Sequence, residues 1–244
     1  MKTSTVRSSI YLFSLFLLSW TIYAQNNVTP WLTKAEQTNL QETSRYDETV
    51  AFCKRLERAS PWVKVTSIKK NGEGREIPLV IISKDKIFER KKTFNSSKTV
   101  VLIQNGIHAG EIAGKDASLM LLRDIVISKK YPKVLDNVIL LILPIYNIDG
   151  HERFGTYNRI NQYGPTQMGW RTNATNLNLN HDYMKADAPE TRAWLQMFNQ
   201  WLPDFFIDNH VTDGADYQYA ITYSIEPHRL QREFSDNLPK QIER

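Results

Sequence analysis

The chain alternates between stretches with a helical period and short apolar runs. Tyr46, Val50, Cys53 and Leu56 fall on one face of a predicted helix from Tyr46 to Ala59, which Ser60-Pro61 stops. Trp62 to Ile68 alternates apolar and polar residues as a half-buried strand does. Asn71-Gly72-Glu73-Gly74 is a turn, and Ile77 to Ile82 a second strand, so the segment predicts a hairpin. Thr99 to Ile103 is a continuous apolar run of the kind buried on both faces of a sheet. It ends at Asn105-Gly106, and a helix follows from about Glu111 to Ser128. Val138 to Leu143 (VILLIL) is another buried strand, stopped by Pro144. Residues 145–185 have no clear period and are rich in Asn and Gly; a loop of that length inside a compact domain is usually functional. Ala188 to Trp201 reads as an amphipathic helix, with strands at Phe205 to Asp208 and Tyr217 to Tyr223. Strands alternating with helices predict an α/β fold with a mostly parallel or mixed sheet covered on both faces. Ligands in such sheets sit at the carboxyl ends of strands.

The N-terminal 24 residues have another character. Lys2 and Arg7 make a charged start, Ile10 to Ile22 is apolar, and Ala24 offers a small residue before Gln25. That pattern predicts a signal peptide over 1–24 and a secreted or periplasmic product, with a run too short for a stable membrane span. Residues 25–44 are polar without a period and read as a linker or N-terminal arm, which leaves 45–244 as one domain. Cleavage would lower the formal net charge from +5 to +3, with the charges scattered. No basic stripe of the kind that binds nucleic acid results. Cys53 is the only cysteine, which excludes an intrachain disulfide, and its place in the helical pattern predicts a packed thiol.

His108 and Glu111 follow the strand at 99–103, and His210 follows the strand at 205–208. Two strand ends can bring these side chains to one crevice. Two imidazoles and a carboxylate form the ligand set of a catalytic zinc with a fourth position open for water. His-x-x-Glu by itself also occurs as an ordinary surface pair, so its surroundings decide. His151, His181 and His228 lack a preceding strand with a partner at ligand spacing.

Those surroundings are a buried strand, Asn-Gly-Ile-His108-Ala-Gly-Glu111, a helix, a buried strand, Pro144-Ile-Tyr-Asn147-Ile-Asp149-Gly150, and a strand ending at His210. From about Tyr46 to Tyr223 this order resembles the zinc carboxypeptidase family of carboxypeptidases A and B. The resemblance implies a three-layer α/β/α sandwich around a mixed eight-stranded sheet, and one zinc ion held by His108, Glu111 and His210. It implies that Arg171, in Gly-Trp-Arg, stabilises the oxyanion of the tetrahedral intermediate, and that Asn178 holds the terminal carboxylate of the substrate. Asn147, Asp149 and Gly150 are turn formers that shape the chain.

Two departures bear on specificity and activity. The family's arginine beside the carboxylate-binding asparagine is replaced by Leu179 in one register or His181 in the other, and Gly110 stands where pancreatic-type members carry arginine. Leucine cannot bind a carboxylate, and histidine is a pH-dependent substitute. The family's general-base glutamate and capping tyrosine lie well downstream of the last ligand, and Glu226, Glu233 and Glu243 have no matching context. The resemblance thus implies a longer gene product, with sheet strands and the base beyond Arg244 and an inactive shorter piece. The expected function is zinc-dependent removal of C-terminal residues from exported peptides. The alternatives are a zinc amidase or deacylase acting on small acylated amino acids or cell-wall peptides, and a non-catalytic zinc-binding module.

Overall fold

The computed structural model describes residues 29–93 and 96–219. The predicted signal peptide, His228, Glu226, Glu233 and Glu243 lie outside the described residues. The chain divides into two compact units, Met1–Val211 and Thr212–Arg244. In the second, Thr212 Oγ1 donates to the Ala215 carbonyl at 2.9 Å. Residues 217–219 of the expected strand at 217–223 are irregular, and its remainder lies outside the described residues.

The first unit is built on five strands: β1 (Val63–Lys70), β2 (Glu76–Ile82), β3 (Thr99–Asn105), β4 (Val138–Leu143) and β5 (Phe205–Asn209). Three helices of more than three turns flank them: α1 (Tyr46–Ala59), α2 (Ala113–Val126) and α3 (Pro189–Trp201). The sheet order is β1-β2-β4-β3-β5. β1 pairs antiparallel with β2 and β2 with β4, while β3 runs parallel to β4 and to β5. The sheet is therefore mixed, with parallel and antiparallel pairings in equal number among the described strands.

Period-two alternation divides the core between the two faces of the sheet. Ile77, Leu79, Ile81, Val100, Leu102, Ile139, Leu141 and Leu143 pack with Trp194, Met197 and Trp201 of α3. Val80, Ile82, Ile103, Leu140 and Ile142 pack with Cys53 and Leu56 of α1 and Leu119, Leu122 and Ile125 of α2. This is the α/β/α arrangement. Cys53 is fully buried in that second layer, and burial pushes its thiol up to about 12, as the packed reading requires.

Residues 29–44 carry more structure than a loose arm. Thr33 and Glu36 form a reciprocal capping box on the short helix Lys34–Gln37. Thr43 Oγ1 donates to Asp116 at 2.9 Å, and the buried Lys115 ammonium donates to the Ser44 carbonyl at 2.6 Å. Polar residues without a period hid this segment, because what secures it is long-range hydrogen bonding. The long segment 145–185 also contains two short helices, Ile148–Glu152 and Leu179–Asp182.

Candidate active site

β3 and β5 end side by side, with Asn105 paired to Asn209, and the ligand candidates lie immediately beyond. The Asn209 amide donates to Asn105 Oδ1 at 2.8 Å, and Asn105 in turn donates to Ser118 Oγ of α2 at 3.0 Å. Helix α2 can close on these strand ends because residue 114 is glycine. A Cβ there would lie 2.5 Å from Asn209 Cβ and 2.7 Å from Asn105 Oδ1.

Glu111 is the centre of the site and is buried. His108 Nδ1 lies 2.9 Å from its Oε1, and His210 Nδ1 lies 3.1 Å from its Oε2. The Val211 N–H donates to Oε2 at 3.0 Å. Burial alone would raise the pKa of this carboxyl. The hydrogen bonds from His108, His210 and Val211 outweigh burial and hold it well below the usual carboxylate range. His210 is raised to about 10 by its hydrogen bonds to Asp208 and then Glu111. One ligand atom from each of His108, Glu111 and His210 lies within 4.8 Å of the others, a set that can hold one metal ion. Both imidazoles turn Nδ1 inward. Their outer nitrogens are engaged, His108 Nε2 by Asn178 Oδ1 at 3.2 Å and His210 Nε2 by Asp208 Oδ2 at 3.0 Å. Ligating histidines are ordinarily braced in this way.

The long loop contributes two guanidinium groups. Arg171 Nη1 lies 3.8 Å from Glu111 Oε1, and its side chain is half-buried. Arg159, which sequence reasoning passed over, is buried and donates from Nη2 to the same oxygen at 3.0 Å. Its stem occupies the space beside Gly110, where a Cβ would come within 2.9 Å of Arg159 Cγ and 2.7 Å of the Gly169 carbonyl. Gly110 thus makes room for an arginine arriving from the loop. Asn147 is fully buried, and its Nδ2 donates to the Arg171 carbonyl at 3.1 Å and toward the Ile107 carbonyl at 3.4 Å. Its Oδ1 caps the helix Ile148–Glu152 through the Gly150 N–H at 3.0 Å, the turn-forming role expected of it.

The segment after Arg171 contains both positions at which the family arginine could stand. Asn178 reaches the site through His108, and Leu179 is fully buried in the α3-side core. His181 is exposed, and among the described residues no side-chain hydrogen bond ties it to the ligands. His151 is buried away from the ligand set, with Nε2 lying 3.0 Å from Lys115 Nζ and Nδ1 lying 2.8 Å from Glu152 Oε1. A carboxylate near the end of β5, two residues before His210, was a legible signal for Asp208, since alternate residues of extended chain share a face. No signal in the sequence marked Arg159.

Two imidazoles and a carboxylate thus converge at adjacent strand ends of an α/β/α fold, a donor set of the kind found in metalloproteins. Residues 49–243 match the zinc carboxypeptidase (peptidase M14) family model, so the chain belongs to the zinc carboxypeptidase family of metallopeptidases. It is 32% identical over 167 residues to carboxypeptidase 2 of Trichophyton equinum, covering 67% of this chain and 28% of that protein. It is 29% identical over 218 residues to an inactive metallocarboxypeptidase of Saccharomyces cerevisiae, covering 77% of this chain and 49% of that protein. Among solved structures, the fold is similar to carboxypeptidase A of Helicoverpa armigera at a TM-score of 0.56 and 23% identity, over 71% of this chain and 47% of that one. It is similar to a metallo-carboxypeptidase of Burkholderia cenocepacia at a TM-score of 0.55 and 23% identity, over 70% and 42% of the respective chains. The chain thus spans less than half the length of each of these relatives. Among the described residues, no helix is long and apolar enough to cross a membrane.

Proposed function

We propose that this chain carries the metal centre of an exported zinc peptidase acting at the C-terminus of peptides. The observation that supports this most is the convergence of His108, Glu111 and His210 within 4.8 Å, with both Nδ1 atoms turned inward. These three residues would hold the zinc ion, and their donor set of two imidazoles and a carboxylate fits a catalytic zinc. When bound, zinc supplies Lewis-acid polarisation of a carbonyl and acidification of water. Arg171 extends a fixed positive charge beside Glu111, where a carbonyl oxygen gaining negative charge would be stabilised. Asn147 holds the Arg171 backbone at that place. His108, His210 and the Val211 N–H keep the Glu111 carboxylate ionised, and Arg159 orients it through a hydrogen bond to Oε1.

A second reading, a zinc amidase or deacylase on small acylated amino acids or cell-wall peptides, is favoured by one observation. Neither position at which the family arginine could stand carries a guanidinium: Leu179 is buried in the core, and His181 is an exposed imidazole. The two readings separate on a matched pair of substrates, a peptide and its C-terminal amide. A peptidase of the first kind prefers a free C-terminal acid to its amide by roughly ten- to a hundredfold, the worth of a charge-assisted hydrogen bond. An amidase shows no such preference. In either case Arg171→Ala is expected to lower kcat by about 10²–10³, as loss of an oxyanion donor does. Full activity in that variant would remove Arg171 from the mechanism.

A further inference from the structure

Gln104 and Asp208 stand opposite each other in the parallel pairing of β3 and β5. Their side chains leave the sheet on the α3 face, where the Gln104 Nε2 donates to Asp208 Oδ1 at 2.9 Å. Gln104 is fully buried, and its amide also bonds the Tyr183 hydroxyl at 3.0 Å. Tyr183 is itself packed edge-on against Trp194 of α3, with ring centroids 4.9 Å apart. The other Asp208 oxygen, Oδ2, lies 3.0 Å from His210 Nε2. A continuous relay therefore runs from the core, through an amide and a carboxylate, to the outer nitrogen of His210. The inner nitrogen of the same ring faces Glu111 at 3.1 Å.

This support matters because His210 is the least enclosed of the three ligand candidates. Its side chain is 35% exposed, against 5% for His108 and 2% for Glu111. An exposed imidazole keeps its rotamer freedom unless something holds it, and losing that freedom on metal binding weakens binding. We propose that Asp208, anchored by Gln104 and Tyr183, is a positioning residue that locks the His210 ring with Nδ1 presented for metal binding. The inference rests on the metal-centre reading above and adds a residue to it. Outer partners of ligating histidines typically contribute ten- to a hundredfold in metal affinity.

The test uses the full chain, zinc affinity by chelator competition, the visible spectrum of the cobalt-substituted protein, and proton exchange at His210 Nε2 followed by NMR. Asp208→Ala is expected to weaken zinc by about ten- to a hundredfold, shift the cobalt bands and abolish the slowly exchanging Nε2–H signal. Asp208→Asn keeps an acceptor oxygen and is expected to recover most of the affinity and the protected proton. A purely structural role would lower thermal stability in both variants without separating their spectra, and that outcome overturns the proposal. So does an Asp208→Ala protein with unchanged zinc affinity and an intact Nε2–H signal. Should that variant not fold, Asp208→Glu, which displaces the carboxylate by one methylene, must show the same loss of zinc affinity and proton protection. Failure of the wild-type chain to bind zinc through His108 and His210 would remove the metal-centre reading by itself. The exchange measurement would still judge the Asp208 clamp.

Discussion

Replacing Glu111 with glutamine removes one charge at the point where the site concentrates its donors. The buried carboxylate receives His108 and Arg159 on Oε1 at 2.9 and 3.0 Å, and Val211 N–H and His210 on Oε2 at 3.0 and 3.1 Å. A glutamine of the same shape keeps only one acceptor oxygen. Its amide nitrogen must face either the Arg159 and His108 pair or the Val211 and His210 pair, donor against donor. Removing one partner of a buried ion pair costs about 3–5 kcal/mol. The lower end applies here, because Arg171 and His210 leave one side of the site open to water. In urea, with a slope of roughly 1–3 kcal/mol/M, about 3 kcal/mol moves the midpoint by about 1–3 M. The measurement is denaturation of metal-stripped wild type and Glu111→Gln at pH 7 and at lower pH. The folded pKa lies below the ordinary value of 4.5, so the Glu111 contribution is complete above that pH and is lost as pH falls below it. The gap between the two proteins should therefore narrow from about pH 5 downward. A variant as stable as wild type at pH 7, or a gap that stays constant with pH, would refute the electrostatic account of Glu111.

One zinc ion per chain is expected in the wild type and none in His108→Ala or His210→Ala, measured by metal analysis after dialysis. Stoichiometric zinc in both variants would remove the ligand assignment. Burial, and then the nearby Lys115, holds His151 neutral with its pKa lowered from 6.5 to about 4. The unfolded chain therefore takes up the proton first, and stability should decline as pH falls from about 6.5 to 4, by up to about 3 kcal/mol. In His151→Gln that slope should be reduced in pH-dependent thermal unfolding. Gly114→Ala gains helix propensity, but its Cβ would meet Asn209 Cβ at 2.5 Å, so a net loss of about 1–3 kcal/mol is expected in urea denaturation. Leu179→Arg places a charge in the core and should lower the melting temperature well below that of His181→Arg, whose position is exposed.

The hydrophobic pattern was enough to mark each long helix and strand of the first unit, because period and stop signals act locally. Helix α1 runs from Tyr46 to Ala59 as its apolar face and Ser60-Pro61 predict, and β4 covers VILLIL as read. The ligand candidates were legible for the same reason, since each comes soon after the end of a predicted strand. Pairing geometry was not legible. β4 sits between β2 and β3, antiparallel to one and parallel to the other, and no single segment encodes that order. Leu179 and His181 are two residues apart in one polar stretch, and only packing against the α3-side core sends Leu179 inward. Arg159 lies 48 residues from Glu111 in a loop without a period, and it reaches that carboxylate because Gly110 leaves space for its stem. The braces on the ligands, Asn178 for His108 and Asp208 for His210, likewise exist only once strand ends and loop are brought together. Sequence period reports which face of an element is apolar. The partner of a buried polar group is set by whatever the fold brings within hydrogen-bond reach.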